Sequence, residues 1–169
     1  MRALLVILSL FATPAIGGVD VMFQEGAPKD RFVITNTGCP LTDVTLVIDL
    51  STAPAGVIFD VTGQGAGVEV FQPIEVVSGE VAIAPVVDGD QVLHMHFPVF
   101  APAEQVIISA DLDDQSSQSD LGQIRVSGSE IAGASVAMVA NGLQTDARFD
   151  VDAAARLSPA EGVDGCVST

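Results

Sequence analysis

The alternation of apolar and polar residues constrains the fold of this chain more than any other feature. Residues 42–51 show it most clearly, and the apolar side chains on one side of this extended segment are Val44, Leu46, Ile48 and Leu50. No segment shows the sustained 3.6-residue period of an amphipathic helix. The pattern therefore predicts an all-β protein.

The pair Asn141-Gly142 is the strongest hairpin signal, because a two-residue type I′ turn needs positive φ at both positions. Folding the chain about this pair predicts four cross-strand pairs on one face: Ala140–Leu143, Met138–Thr145, Val136–Ala147 and Ala134–Phe149. The polar residues near the turn then fall on the opposite face. Register and polarity agree, so we predict a hairpin here.

Further strands are predicted between Gly, Pro, Asn and Asp-rich turns, at residues 19–24, 31–35, 57–61, 68–71, 75–77, 81–87, 91–99, 105–111 and 122–126. Many short strands at this spacing are typical of an antiparallel β-sandwich, either immunoglobulin-like or jelly-roll-like. Residues 152–157 could form a helical turn or extend the last strand.

Residues 1–17 have the pattern of an export signal. Arg2 precedes a nine-residue apolar run, Pro14 follows it, and Ala15-Ile16-Gly17 supplies small residues for cleavage. The run is shorter than the ~20 residues that a membrane-spanning helix needs. We therefore expect a signal peptide at 1–17, a single domain at 18–157 and a C-terminal tail at 158–169. The mature chain would be periplasmic, extracellular or on the cell surface, with no membrane insertion.

The chain is strongly acidic. Removing Arg2 leaves five basic and 22 acidic side chains, a net charge of −17 for the mature protein. Such a surface repels phosphate backbones and anionic lipid, which argues against nucleic-acid binding. We expect a protein or cell-surface partner, and the sequence predicts no oligomeric state.

The two cysteines, Cys39 and Cys166, lie near opposite ends of the mature chain. An even pair in an exported protein indicates a disulfide. The bridge would tie the C-terminal tail to the Gly38-Cys39-Pro40 turn. A metal site would need more sulfur ligands or nearby histidines.

An acidic run after a predicted strand is the best candidate for chemistry, and its carboxylates are Asp111, Asp113, Asp114 and Asp120. We expect Asp111 and Asp113 to point outward together at the strand end. Calcium accepts six to eight oxygen ligands with loose geometry, so these four residues form a candidate calcium site. A solvated acidic loop is the alternative. No other cofactor is predicted.

Asp88-Gly89-Asp90 and the pair His94 and His96 are two weaker candidates for metal binding. Asp88-Gly89-Asp90 is more simply interpreted as a tight turn, and Asp60 is predicted to face outward from a strand. His94 and His96 share one face of a strand, a spacing that suits a transition metal if a neighbouring strand adds a third ligand. Solvent-facing histidines are the simpler interpretation.

No catalytic motif is present, so we expect a protein that is not an enzyme. Ser127-Gly128-Ser129-Glu130 lacks the spacing of a nucleophile elbow. Phosphate-binding loops, dinucleotide fingerprints and zinc-protease motifs are also missing.

Several phrases together carry a family resemblance: EGAPKDRFVITNTG (25–38), VIFDVTGQGAGVEVFQPIEVVSG (57–79), DGDQ (88–91), ADLDD (110–114) and VSGSEIAGASV (126–136). They resemble small exported proteins of marine alphaproteobacteria known as the aggregation factor core family. The FVITNTG segment is also similar to immunoglobulin-like bacterial adhesion domains. The resemblance implies a surface protein that promotes cell–cell adhesion with calcium, and it brings no established site residues.

The leading hypothesis is therefore an exported adhesion or aggregation module that binds calcium through its acidic loop. One alternative is a periplasmic transition-metal binder that uses His94 and His96. Another is a structural subunit of a surface assembly that adds strands at an exposed sheet edge.

Overall fold

Two five-stranded antiparallel sheets pack against each other in the computed structural model of this chain. The structure describes residues 18–63, 65–67, 73–116, 123, 125–140 and 142–158. The strands in these ranges are β1 (Val19–Gln24), β2 (Asp30–Asn36), β3 (Leu41–Asp49), β4 (Ile58–Phe59), β5 (Glu75–Ser78), β6 (Ala82–Ile83), β7 (Val92–Phe100), β8 (Gln105–Ala110), β9 (Leu112–Asp113), β10 (Ser135–Ala140), β11 (Leu143–Arg148) and β12 (Ala154–Leu157). A 3₁₀ turn covers Leu50–Thr52, and helix α1 covers Gly128–Ile131.

The first sheet has the order β12-β1-β2-β8-β5, and the second has the order β11-β10-β3-β7-β6. A third, two-stranded ribbon pairs β4 with β9. Since β8 ends at Ala110 and β9 begins at Leu112, the ribbon continues directly from the first sheet. This connection brings the acidic run to the edge of the core.

The core lies between the two sheets. The first sheet contributes Val21, Phe32, Ile34 and Ile108, and the second contributes Leu46, Ile48, Met95, Phe97 and Val136, all essentially inaccessible to solvent. Each such side chain contributes about 1.5–3 kcal/mol on burial. The rings of Phe97 and Phe100 stack at a centroid distance of 4.7 Å. Alternating apolar residues therefore form the sandwich interior, as the sequence predicts.

The predicted all-β sandwich is confirmed. Strand β1 has the predicted limits of residues 19–24, and the hairpin register is confirmed at Ala140–Leu143, Met138–Thr145 and Val136–Ala147. The glycine of the Asp88-Gly89-Asp90 turn has φ of +83°, as a tight turn requires.

Other predicted strands are shorter than the apolar patterns suggested. Within the predicted strand at 81–87, the structure contains only β6, and within 57–61 only β4. Residues 125–126 are not in a strand, and helix α1 follows them. Residues 154–157 form β12 rather than a helical turn. The predicted strand at 68–71 lies outside the described residues, as does Gly122.

Within the described ranges, no helix is long and apolar enough to cross a membrane. The proposed signal peptide at 1–17 lies outside these ranges, as does most of the tail, residues 159–169.

Candidate functional site

The β4–β9 ribbon brings carboxylates from two separate segments together. Ile58 pairs with Asp113 and Phe59 with Leu112, and the Asp60 N–H donates to the Asp111 carbonyl at 3.1 Å. Side chains at directly opposite positions share one face of an antiparallel pair. Asp60, Asp111 and Asp113 therefore lie on one face of the ribbon, while Phe59 and Leu112 join the core.

We call Asp60, Asp111, Asp113 and Asp114 the acidic cluster. Their exposed fractions are 1%, 5%, 3% and 3%. The expectation that Asp111 and Asp113 face solvent is wrong, and so is the outward position expected for Asp60. Alternation along residues 111–113 places Asp111 and Asp113 on the side opposite Leu112, as predicted. Other segments of the chain cover that side, so the two carboxylates are buried.

Three oxygens of the cluster are buried and have no hydrogen-bond partner: Asp60 Oδ1, Asp111 Oδ2 and Asp114 Oδ2. The other Asp114 oxygen accepts from the Ser116 N–H at 2.8 Å. A buried carboxylate oxygen without a partner is costly when the group is ionised, and most buried polar groups in proteins are satisfied. The cluster therefore contains acceptors that protein donors leave unused.

Burial and mutual repulsion disfavour the ionised forms of these groups. Burial, followed by the nearby Asp113 and Asp60 charges, raises the pKa of Asp111 to about 7, and Lys29 opposes this only in part. Burial, a hydrogen bond with Asp88 and the Asp113 charge raise the pKa of Asp60 to about 6. Lys29 itself is paired with Glu75 at 2.9 Å, so its charge is shared with a carboxylate outside the cluster.

Asp88 supports the backbone beside the cluster, because both of its carboxylate oxygens accept hydrogen bonds from backbone N–H groups. Its Oδ1 accepts from the N–H groups of Val61 and Thr62 at 3.0 and 3.1 Å, and its Oδ2 accepts from the Ala66 N–H. These bonds, chiefly that from Ala66, lower the pKa of Asp88. Asp88 thus stays ionised and fixes residues 61–62 and 66 beside the cluster.

The turn that carries Asp88 is joined to β4. The Phe59 N–H donates to the Asp90 carbonyl at 2.8 Å, and the Gly89 N–H donates to the Phe59 carbonyl at 2.9 Å. The Asp90 side chain accepts from the Val87 N–H at 2.8 Å. The turn is therefore a structural support, and it extends the ribbon on the side of β4 that faces away from β9.

Of the four carboxylates predicted as a calcium site, Asp111 and Asp113 share one face of the ribbon with Asp60, and Asp114 is buried next to them in the chain. Asp120 lies outside the described residues, and calcium binding by this set stays a prediction. In the described part of the chain, no three or more His, Cys, Asp or Glu side chains are already arranged to hold a metal ion. Binding a cation here would therefore require the carboxylates to turn toward one another.

His94 and His96 lie on the outer face of the second sheet, opposite Val47 and Thr45 of β3. His96 Nε2 is 3.8 Å from Asp43 Oδ1, and the Asp43 side chain is 93% exposed. The residue between the two histidines, Met95, is buried. The predicted shared face of the histidines is confirmed, and a metal at this position stays a prediction.

The turn around Cys39 is held by Asn36, whose side chain is buried. Asn36 Nδ2 donates to the carbonyls of Cys39 and Phe100, both at 2.8 Å. No cysteine in the described residues is free, while Cys166 lies outside them. The disulfide between the two cysteines stays a prediction.

Sequence reasoning missed Asp60 as a member of the cluster. Its partner strand is only two residues long, and such a short pairing leaves almost no periodic signal. Comparisons with family models, with curated proteins and with solved structures find no match for this chain. The function of this chain must therefore be inferred from the site itself.

Proposed function

We propose that this chain is an exported, non-enzymatic β-sandwich module that binds calcium at its acidic cluster and acts in adhesion or aggregation at the bacterial surface. One observation carries the proposal: the side chains of Asp60 and Asp111 share a face of the ribbon with Asp113, and each has a buried oxygen without a hydrogen-bond partner. Protein donors do not satisfy these oxygens, so the folded protein offers acceptors that protons, water or a cation can fill.

The chemistry of the cluster favours calcium among the common divalent cations. All of its side-chain ligands are carboxylate oxygens, which are hard donors. Zinc prefers nitrogen and sulfur ligands, and the cluster has no histidine or cysteine. Magnesium demands near-ideal octahedral geometry and retains several waters, which suits a buried cluster less well.

Export and acidity support a role for calcium outside the cytoplasm. A signal-like segment at 1–17 would deliver the domain to a compartment where calcium can reach millimolar concentration. A mature net charge of −17 makes two copies, or two acidic surfaces, repel each other. Bound calcium reduces that repulsion, which is the expected behaviour of a calcium-dependent adhesion module. The resemblance to the aggregation factor core family points the same way.

Thermal unfolding with and without calcium tests the binding. We expect millimolar calcium to raise the Tm of the EDTA-treated mature protein by roughly 5–10 °C once its concentration exceeds Kd about 100-fold, because only the folded state offers the site. Asp60→Asn and Asp111→Asn should each abolish most of this increase. Asp146→Asn is the matched control, since Asp146 is exposed on β11. A Tm that does not respond to calcium in the wild type would contradict the proposal.

A second candidate function rests on the 3.8 Å approach of His96 to Asp43. It is transition-metal binding on the outer face of the second sheet, with His94 as the third ligand. Metal analysis after supplementation with zinc, copper or nickel should find about one ion per chain, and His96→Gln should remove it. Metal-free protein after supplementation would exclude this candidate.

The edges of the two sheets give little support to the third hypothesis, a structural subunit that adds strands to a surface assembly. Strand β5 has four residues and a register shift against β8, and β6 has two residues. Strand β11 is longer but lies beside β12, where the Thr145 hydroxyl donates to the Ser158 carbonyl at 2.9 Å. Short, shifted or covered edges are the usual protection against strand addition.

A further inference from the structure

The outer face of the first sheet carries a row of apolar side chains that crosses four strands. Directly opposite residues on paired strands share one face of a sheet. From β12 to β8 the register therefore brings into one row the side chains of Ala154, Met22, Val33 and Ile107. Met22 is 44% exposed, so a large apolar side chain of this row stands in solvent.

The residues on either side of this row give the face no net charge. One flanking row consists of Arg156, Asp20, Thr35 and Gln105, and the other consists of Gln24, Arg31, Ser109 and Glu75. Two arginines thus balance two carboxylates on this face, whereas the whole chain has a net charge of −16. A second acidic molecule can approach this face without the net repulsion that the rest of the surface imposes.

The outer face of the second sheet lacks such a row. Its rows across β11, β10, β3 and β7 each include polar or charged side chains, and they are Asp146–Ala137–Val47–His94, Gln144–Val139–Thr45–His96 and Arg148–Ser135–Asp49–Val92. Two carboxylates face one arginine in these rows, so the face is acidic. Of the two outer faces, the first sheet's alone combines an apolar row with charge balance.

The size of the first sheet's outer face limits how tightly a partner can bind. Five strands about 4.8 Å apart, each rising ~3.3 Å per residue over about six residues, cover roughly 450 Å². Two such faces together bury about 900 Å², which is near the lower limit for a specific interface. Contact between two copies is therefore weak for a single pair, and many copies on opposing surfaces would strengthen it by avidity.

We propose that the outer face of the first sheet, centred on Met22, Val33 and Ile107, is a self-association surface on which a second copy of this chain packs face to face. The contact uses the face of the sheet and not its short or covered edges. The inference rests on the proposed adhesion role and deepens it by naming the partner as the same protein.

Sedimentation velocity of the mature protein in EDTA tests the self-association. We expect the weight-average sedimentation coefficient to rise between about 5 and 500 μM, as a weak dimer requires. Met22→Asp should lower the association constant at least tenfold, because it places a carboxylate without a partner in the contact.

Val139→Asp is the matched control. Val139 is 40% exposed on the outer face of the second sheet, so the substitution adds the same charge at a similarly exposed position. It should associate as the wild type does. An equal loss in Met22→Asp and Val139→Asp would mean that total charge, and not this face, controls association, and would overturn the inference.

Salt separates an apolar contact from an ionic one. Raising the ionic strength from 0.05 to 0.5 M should strengthen the association, because salt screens the repulsion between two acidic molecules and leaves the apolar row unaffected. Association that weakens in salt would show that opposite charges hold the copies together, and it would contradict the proposed contact.

An NMR dilution series of the wild type covers the case in which Met22→Asp does not fold. The amide signals of Met22, Val33 and Ile107 should shift with concentration, while those of Val47 and Val139 stay constant. Shifts confined to the second sheet would overturn the inference.

These measurements in EDTA keep the two proposals separable. A wild type that stays monomeric at every concentration contradicts the self-association surface and leaves the calcium response of the Tm as a separate result. A wild type that associates through this face but has a Tm insensitive to calcium supports the surface and contradicts calcium binding.

Discussion

At the scale of single residues, burial separates aspartates that look alike in the sequence. Asp88 is satisfied by backbone N–H groups and keeps a lowered pKa, whereas Asp111 is buried among other carboxylates and its pKa rises to about 7. The environment, not the residue type, therefore decides which aspartates support a turn and which are available to a cation.

Asp30, which lies beside the cluster and is not one of the proposed ligands, provides a test of this effect. It is buried, and burial is the main reason that its pKa rises to about 7. The Gly26 N–H and the Arg125 charge lower the pKa, while Asp111 and Glu25 raise it further. The folded state thus favours the protonated form of Asp30 more than the unfolded chain does.

We therefore expect the stability of metal-free protein to fall as the pH rises from about 4 to above 7. Protonated Asp30 stabilises the fold fully below the unfolded pKa of 3.8, and this contribution is lost as the pH passes the folded pKa of about 7. Asp30→Asn should be more stable than wild type at pH 8, by on the order of a few kcal/mol, and nearly equal to it at pH 4.

Urea unfolding in EDTA at both pH values measures the difference. Asn can still accept the Gly26 hydrogen bond through its amide oxygen, so the substitution removes the charge and little else. An Asp30→Asn effect of equal size at pH 4 and pH 8 would show that titration of this carboxyl is not the cause.

At the scale of strands and turns, strand limits and register can be predicted from the sequence where the apolar periodicity and the turn residues agree. The β10–β11 hairpin has both, and its register is the predicted one. Strand β7 shows where alternation alone fails: continuing the buried positions of Met95 and Phe97 by alternation would bury Val99, but Val99 is 58% exposed and Phe100 is buried instead. Asp43, opposite this end of β7, has φ of +53°, a local conformation that alternation cannot predict.

The two-residue strands and the four-residue helix α1 are too short to produce a periodic pattern in the sequence. Strands β4 and β9 are defined by their pairing with each other, which depends on the whole fold. Helix α1 does have a local sequence signal, since Ser127 and Glu130 have the spacing of a capping box. In the structure the Ser127 N–H donates to Glu130 Oε2 at 2.7 Å. The acidic cluster was predictable in its β9 half and not in its β4 half.

Gly142 tests the turn chemistry of the hairpin. Its φ is +77°, and an added Cβ would meet no atom within 4 Å, so Gly142→Ala introduces backbone strain without a clash. We expect a loss of about 1 kcal/mol in the free energy of unfolding.

Urea unfolding of Gly142→Ala beside Gln144→Ala provides the comparison. Gln144 is exposed on β11 and is not at positive φ, so its substitution should cost much less. Equal effects of the two substitutions would argue against a strained turn at Gly142.

At the scale of the whole molecule, the proposed export links features that are distant in the chain. It makes a bridge between Cys39 and Cys166 the expected state of the two cysteines, and it gives the acidic cluster access to calcium. The net charge, −16 for the full chain, opposes every approach of a second acidic surface at low ionic strength.

Non-reducing peptide mass spectrometry of the exported protein should find Cys39 and Cys166 in one linked peptide pair. Closing so long a loop contributes about 4–5 kcal/mol in the chain-entropy model, so reduction should lower the Tm clearly. Two free thiols in the exported protein would contradict both the bridge and the oxidising compartment.

The central claim is that calcium occupies the acidic cluster, and a crystal grown in millimolar calcium tests it most directly. We expect one anomalous difference peak at the acidic cluster, about 2.3–2.6 Å from carboxylate oxygens of Asp60 and Asp111. The peak should be absent from crystals grown in EDTA. A well-ordered cluster with no peak in the calcium-grown crystal would contradict the account.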